Sequence, residues 1–345
     1  MRRIAMIKKI LLVLLVLSFT DTAAGGGFSK VGTAAAQFLK IGVGARATGM
    51  GESFVAVAND ASALYWNPSG ITNITDLSVN VSHTQWFAEL FHNYAGIVIP
   101  FGENGVVGVS AISLTTHEQE VTTVEQPDGA GVYYNVNDIA IGLSYARTLT
   151  DRFSVGITAK YIQQDAYNES ANTLAIDVGT YLRTGFHNLI IGMCVSNFGG
   201  NMQLEGRDLI ALADINKQIS GEYNPDSRLK TEPWTLPLNF RVGIAMDIIG
   251  GTDPVFESES HHVTVALDGN HPNDNDERIN IGGEYSWNET VYARIGYKAN
   301  YDVEKWAYGA GVKLSIGTQK IGFDYALVDY HDLGKVSRLS VEFGF

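Results

Sequence analysis

The last eight residues run Arg338-Leu339-Ser340-Val341-Glu342-Phe343-Gly344-Phe345, apolar at odd positions and polar or small at even ones. A strand turns successive side chains to opposite faces, so this stretch reads as a strand with one oily and one charged face. The same period of two recurs upstream. Val155, Ile157, Ala159 and Tyr161 oppose Gly156, Thr158 and Lys160, and Val291, Ala293, Ile295 and Tyr297 oppose Arg294, Gly296 and Lys298. From residue 76 onward the pattern predicts fourteen strands, at about 76–86, 91–101, 104–116, 136–148, 152–164, 172–183, 187–198, 236–249, 260–269, 277–287, 290–301, 305–316, 318–328 and 334–345. Most exceed the ~9–11 residues that a tilted strand needs to cross the hydrocarbon of a membrane.

Alternation alone fits a soluble sandwich as well. The connections separate the two cases. Short ones such as Thr150-Asp151, Asn288-Glu289 and Gly317-Thr318 alternate with long ones such as 117–135, 165–171, 199–235, 270–276 and 329–333. The ten-residue connection 250–259 breaks that rhythm. Outer-membrane barrels sort their loops this way, short at the periplasm and long outside, and an even strand count returns both ends to one side. In lipid every backbone N–H and C=O must be paired within the protein, so the sheet must close. The last strand is expected to pair with the first near Leu77, Val79 and Val81. A charge on the lipid face would cost about 2–4 kcal/mol at the midplane. The pattern turns Lys160, Asp177, Arg241, Asp268, Glu284, Arg294, Asp324 and Arg338 inward and avoids that cost. The fold class expected is therefore all-β, a transmembrane antiparallel β-barrel of about 14 strands.

The other end of the chain supports export. Met1-Arg2-Arg3 and Lys8-Lys9 precede an apolar run from Ile10 to Phe19, and Thr22-Ala23-Ala24 offers small residues for cleavage after Ala24. Residues 1–24 thus read as a signal peptide, because the run is about half the ~20 residues of a helical span. The full chain carries a net charge of −13, and loss of four basic residues and one acidic residue with the signal makes it more acidic still. Such a surface repels nucleic acid. Mean hydropathy is near zero, as expected where only alternate residues meet lipid. The lone cysteine, Cys194, can form no internal disulfide and reads as a small strand residue.

Residues 25–75 do not alternate and are dominated by small side chains, as a plug threading a crowded lumen would be. The order Gly44-Ala45-Arg46-Ala47-Thr48-Gly49-Met50-Gly51, then Ala56-Val57-Ala58-Asn59-Asp60-Ala61-Ser62-Ala63, then Trp66-Asn67-Pro68-Ser69-Gly70 resembles the N-terminal signature of the PorV/PorQ family, relatives of FadL-type outer-membrane barrels. The resemblance implies a fourteen-stranded barrel over residues 76–345 with an N-terminal hatch over 25–75, in the outer membrane of a Gram-negative bacterium. Its hatch motif would comprise Gly44, Arg46, Gly49, Met50, Gly51, Asp60, Trp66, Asn67, Pro68 and Gly70. It further implies a non-enzymatic role, without cofactors. One branch binds or shuttles cargo with C-terminal signal domains among the proteins of type IX secretion. The other transports hydrophobic small molecules, so a hydrophobic ligand is a second expectation beside outer-membrane lipid and secretion partners.

Several residues carry more local expectations. Within the 199–235 connection, Asp208–Ile219 reads as a short helix, with Leu209, Leu212, Ile215 and Ile219 as a candidate external groove. Trp86 and Phe87 read as part of an interfacial aromatic girdle. Arg46 and Asp60 could pair with each other or with lumen charges, favouring a structural lock. Asn273-Asp274-Asn275-Asp276-Glu277 lacks the glycine and distal glutamate of a calcium loop and reads as a solvated acidic tip. The histidines lack zinc-ligand spacing. Gly42-x-Gly44-x-x-Ala47 is not followed by a βαβ unit, which argues against dinucleotide binding. Phe343 and Phe345 are expected to act as a barrel assembly signal.

Overall fold

Fourteen strands close into an antiparallel ring in the computed structural model, which describes residues 31–212, 226–317 and 319–345. The signal-peptide expectation over 1–24 lies outside the described residues. The strands are β1 (Ser78–Gln85), β2 (Phe91–Pro100), β3 (Val106–Thr115), β4 (Val136–Thr150), β5 (Phe153–Ala166), β6 (Glu169–Arg183), β7 (Ile190–Gly199), β8 (Asn239–Ile249), β9 (His261–Pro272), β10 (Arg278–Trp287), β11 (Val291–Ala299), β12 (Trp306–Ile316), β13 (Gln319–Asp329) and β14 (Lys335–Gly344). Each pairs with its neighbours in sequence. The ring shuts where β14 meets β1, with Val79 opposite Phe343 and Val81 opposite Val341. The Phe345 N–H donates to Leu77 O at 3.0 Å and extends that seam by one rung. Closure leaves no unpaired sheet edge, which is what lipid demands of a spanning sheet.

The two faces follow the alternation. On β14, Val336, Arg338 and Ser340 are buried, whereas Leu339 is 51% exposed. Leu143 and Leu174, on the outward faces of β4 and β6, are 60% and 69% exposed. A belt of such residues is the lipid-facing surface of a membrane barrel. Among the described residues no helix is long and apolar enough to cross a membrane.

Loop lengths sort by end, with two exceptions. The connection expected as long at 165–171 is a two-residue turn, because β5 and β6 extend to Ala166 and Glu169 and Tyr167 takes a left-handed φ of 57°. Tertiary pairing overrode the polar composition that suggested a loop. The irregular connection after β8 persists and folds back through a bridge between Ile249 and Phe256. Hereafter the outer end is the one carrying the long 116–135 and 200–238 connections, and the short-turn end is the opposite one.

Residues 34–74 pack against the inward faces of the strands and are almost wholly buried. They contain two short helices, α1 (Ala45–Gly49) and α2 (Ala63–Trp66), and 3-10 turns at Gln37–Lys40 and Pro68–Asn73. The path begins at the outer end, where Ala36 N–H donates to Gln164 Oε1 at 2.9 Å. It reaches the short-turn end near Asn73, whose Oδ1 accepts from Arg183. The local signals are plain. Gly44 has φ 79° just before α1, Gly51 has φ 65° just after it, and Pro68 opens a 3-10 turn whose Ser69 N–H is capped by Asn67 Oδ1 at 3.2 Å.

Candidate functional site

The lumen can hold this segment because the strands lack side chains where its backbone passes. A Cβ on Gly309 would sit 3.0 Å from Gly49 Cα, and one on Gly51 would sit 3.0 Å from Gly296 Cα. Gly282 faces Met50, Gly192 faces Val55, and Gly156 and Gly179 face Asn67, Pro68 and Ser69. Gly156, Gly179, Gly192, Gly282, Gly296 and Gly309 lie on the inward face of their strands. They trade strand propensity for close backbone approach.

Around α1, Arg46 and Arg294 are paired with carboxylates, although Arg294 Nη2 has no partner among the described residues and Arg338 meets only hydroxyls. Arg46 grips Glu284 of β10 with two bonds, Nε to Oε2 at 2.9 Å and Nη2 to Oε1 at 2.8 Å. Its Nη1 donates to Asp60 Oδ2 at 3.1 Å and to Asn59 Oδ1 at 2.6 Å. Burial works against the Arg46 cation, and the Glu284 and Asp60 carboxylates supply its counter-charge. Arg294 of β11 extends the chain of charge, donating to Glu284 Oε2 and to Asp324 Oδ1, each at 2.6 Å. Arg338 donates to Thr48 of α1 and to Thr84 of β1, and Ser340 Oγ accepts the Ala45 N–H at 2.7 Å. Asp268 Oδ2 receives the N–H groups of Phe54 and Val55 at 2.7 and 2.9 Å. Arg46 and Asp60 thus pair with each other, and Arg46 alone also pairs with a charge on the wall, Glu284.

The other motif residues are structural as well. Asp60 Oδ1 accepts the Ser62 N–H at 2.9 Å, and Trp66 Nε1 donates to Val43 O at 3.0 Å. Asn67 Nδ2 donates to Val55 O at 3.0 Å and to Thr180 O at 3.1 Å, tying the segment to β6. Met50 is wholly buried, and a Cβ on Gly70 would collide with Ala58 O.

At the outer end a cavity of about 200 Å³ opens between the N-terminal segment and β8–β10. Two inward rows meet there. Arg241, Asn270 and Arg278 stand in register across β8, β9 and β10, and one pleat deeper lie Asp268, Asn280 and Lys298 on β9, β10 and β11. Trp66, Trp86, Tyr301 and Tyr330 supply aromatic walls. Arg241 is 6% exposed, and its guanidinium lies 5.1 Å from the Trp66 ring and 5.3 Å from the Tyr65 ring. That of Arg278 lies 4.4 Å from the Tyr301 ring. Lys298 Nζ, by contrast, pairs with Glu52 and with Glu304, each at 2.9 Å. Burial disfavours the Glu304 anion, and the Lys298 charge more than offsets this, so its pKa is lowered. These residues formed no motif in the sequence reading. Their signal was the i, i+2 spacing of polar side chains (Asn239 and Arg241, Arg278 and Asn280) at the outer ends of neighbouring strands.

Three local expectations change. Trp86 turns to this cavity and packs against Tyr330 at 5.5 Å and Phe87 at 5.1 Å, so it closes a small core between loops instead of standing in a lipid-side girdle. Asp274 is no solvated tip: it is buried, 3.0 Å from Lys40 Nζ and 2.8 Å from Gln37 Nε2, and anchors the N-terminal segment. The helix expected over 208–219 is instead a 3-10 turn at Arg207–Leu209 followed by a strand, Ile210–Leu212, paired antiparallel with Asp226–Arg228. A pairing partner sixteen residues away outweighs the weak helical periodicity of so short a window. Leu209 lines a shallow cavity with Leu204 and Leu229, while Ile215 and Ile219 lie outside the described residues. Phe343 and Phe345 are both partly exposed on the outer face.

A closed fourteen-stranded antiparallel barrel with lipid-compatible outer faces defines the outer-membrane β-barrel class, and its fold is FadL-like. The CymD monoaromatic hydrocarbon channel is similar, with a TM-score of 0.56 at 13% identity over 88% of this chain and 98% of that one. The Ralstonia pickettii toluene transporter TbuX aligns with a TM-score of 0.51 at 13% identity over 88% and 97%. A Pseudomonas aeruginosa FadL homologue aligns with a TM-score of 0.51 at 12% identity over 88% and 98%. At the level of sequence, the family model for the type IX secretion system protein PorV matches residues 27–258, more than half of the chain, and the chain belongs to that family. No curated protein matches its sequence.

Proposed function

We propose that this chain is a sealed barrel in the outer membrane of a Gram-negative bacterium. In this reading it binds or shuttles cargo carrying C-terminal signal domains and contacts other type IX secretion components. Residues 34–74 act as its hatch. The observation that carries the reading is the paired charge around α1. Arg46, Glu284, Arg294 and Asp324 pin the segment in mid-lumen, and the outer cavity shares no lining residue with the polar cavity at the short-turn end. A barrel locked in this way is suited to present its external loops to proteins. Phe343 and Phe345 serve as the assembly signal in the same reading, and replacing both with Ala should lower the inserted fraction more than the heat stability of what does insert.

Pull-down from detergent-solubilised outer membrane tests the secretion role. Co-purification of secretion components, with loss of surface-attached cargo in a deletion strain, is the expected result. Recovery of the barrel alone, with secretion intact, would overturn it. A second reading, transport of a hydrophobic small molecule, is favoured by one feature. A cavity of about 260 Å³ beside β5 and β6 is lined by Ala35, Ala166, Ala171, Met202, Leu204 and Trp234 among others. It requires uptake of such a compound to fall on deletion while secretion persists.

A further inference from the structure

The outer cavity holds hydrogen-bonding groups that the protein itself does not satisfy. Arg241 Nη1, Arg278 Nε, Asn239 Oδ1 and Asn280 Oδ1 are buried without a partner, and all four residues line the cavity. Arg241 is 6% and Asn280 1% exposed. Among the described residues neither arginine has a carboxylate within ion-pair distance. Of the acids nearby, Glu52 and Glu304 are engaged by Lys298, Asp274 by Lys40, and Asp268 through Oδ2 by the Phe54 and Val55 N–H groups, its Oδ1 lying beyond ion-pair distance of Arg241. Aromatic rings hold both guanidinium planes in place, so the positions of the donors are set without an anion to set them. A buried guanidinium without a counter-charge is costly, and a buried amide oxygen without a donor adds to the cost.

We propose that this cavity binds a small hydrophilic carboxylate that also carries a hydroxyl or amino donor, as hydroxy acids and amino acids do. The carboxylate takes the free N–H groups of Arg241 and Arg278, since guanidinium groups match the planar geometry of a carboxylate. The hydroxyl or amino group donates to Asn239 Oδ1 or Asn280 Oδ1. The volume of about 200 Å³ suits a compound of a few carbons. The site therefore goes beyond the secretion role and does not depend on it.

Trp66 and Trp86 in the wall make the test direct. The full-length barrel in detergent is titrated with L-malate, L-glutamate, succinate, laurate and inorganic phosphate while tryptophan emission is followed. Malate or glutamate should give a saturable change, with succinate, which lacks the extra donor, at least several-fold weaker. Arg278→Gln should weaken the response tenfold or more, and Asn280→Ala should erase the preference for malate over succinate. Heat-modifiable gel migration verifies that each variant is folded, and Arg241→Met provides a second loss of charge if Arg278→Gln fails to assemble. The proposal is overturned by no saturable response to malate or glutamate, by phosphate binding as tightly as malate (an adventitious ion only), by laurate binding more tightly than malate, or by an unchanged response in the folded arginine variants.

Discussion

Two groups of arginines line this lumen and are treated in opposite ways. Around α1, Arg46 and Arg294 share Glu284, and each has a second carboxylate, Asp60 or Asp324. At the outer end, Arg241 and Arg278 rest on aromatic rings and have no carboxylate partner among the described residues. Both groups are inward-facing residues of the strands or of the 34–74 segment; Arg241 and Arg294 are buried, and Arg46 and Arg278 are partly so. The difference lies in counter-charge: carboxylates match the first group, although Arg294 Nη2 has no partner, and among the described residues none matches either arginine of the second. A buried cation held by carboxylates rigidifies what it joins, whereas one without them keeps bonding capacity for something else. The first group accordingly ties residues 34–74 to the wall, and the second leaves donors open toward the outer cavity.

The comparison can be broken most forcefully at Glu284. Glu284→Gln keeps the shape but leaves Arg46 and Arg294 short of charge, and removing one partner of a buried pair costs about 3–5 kcal/mol. The midpoint of heat-modified gel migration should fall clearly; an unchanged midpoint would show that the network does not hold the plug. Gly296→Val should come next. Its side chain would overlap the Met50–Gly51 backbone and cost about 1–3 kcal/mol or dislodge the segment, which limited proteolysis near residues 45–55 would reveal. Gly283→Val is its control, because that position meets only Ile295 Cγ2 at 3.8 Å and should be near neutral.

The outer arginines should respond differently. Arg241→Met retains the bulk over Tyr65 and Trp66 but removes an unpaired buried charge, so without ligand the heat stability should stay within about 1 kcal/mol or rise. A large loss of stability there would place Arg241 with the first group. A loss smaller than at Glu284 is expected at the rim. Lys40→Met breaks the pair with Asp274, but the Lys40 side chain is 25% exposed and the buried Asp274 keeps its bond from Gln37 Nε2, so the loss should stay below that of a fully buried pair, about 3–5 kcal/mol. A fall comparable to that of Glu284→Gln would show that the outer anchor matters as much as the inner one.

Much of the wall was legible in the sequence. The period-two pattern placed all fourteen strands within a few residues of their observed bounds and paired the last with the first. The lack of alternation and the small side chains set residues 25–75 apart from the strands, and the described part of that stretch holds no strand of the ring. What alternation missed was pairing that polar residues permit but do not advertise: the tight turn at 167–168 and the strand at Ile210–Leu212. Asp274 and Trp86 were misread for a related reason. Their exposure depends on which loop folds over them, and no local pattern encodes that.

The candidate site was visible in its parts and hidden as a whole. An inward arginine on β8 follows from the period of two, because lipid penalises the charge on the other face. That Arg46 meets Glu284 while Arg241 meets no carboxylate depends on strand stagger and on the path of the plug through the lumen. Residues 46 and 284 are far apart in the chain, and a ring of strands brings inward side chains together by register, which a single residue of slip would turn to the opposite face. Polarity along the chain thus decides which side chains enter the lumen. Closure of the barrel around residues 34–74 decides which of them find a partner there and which are left open.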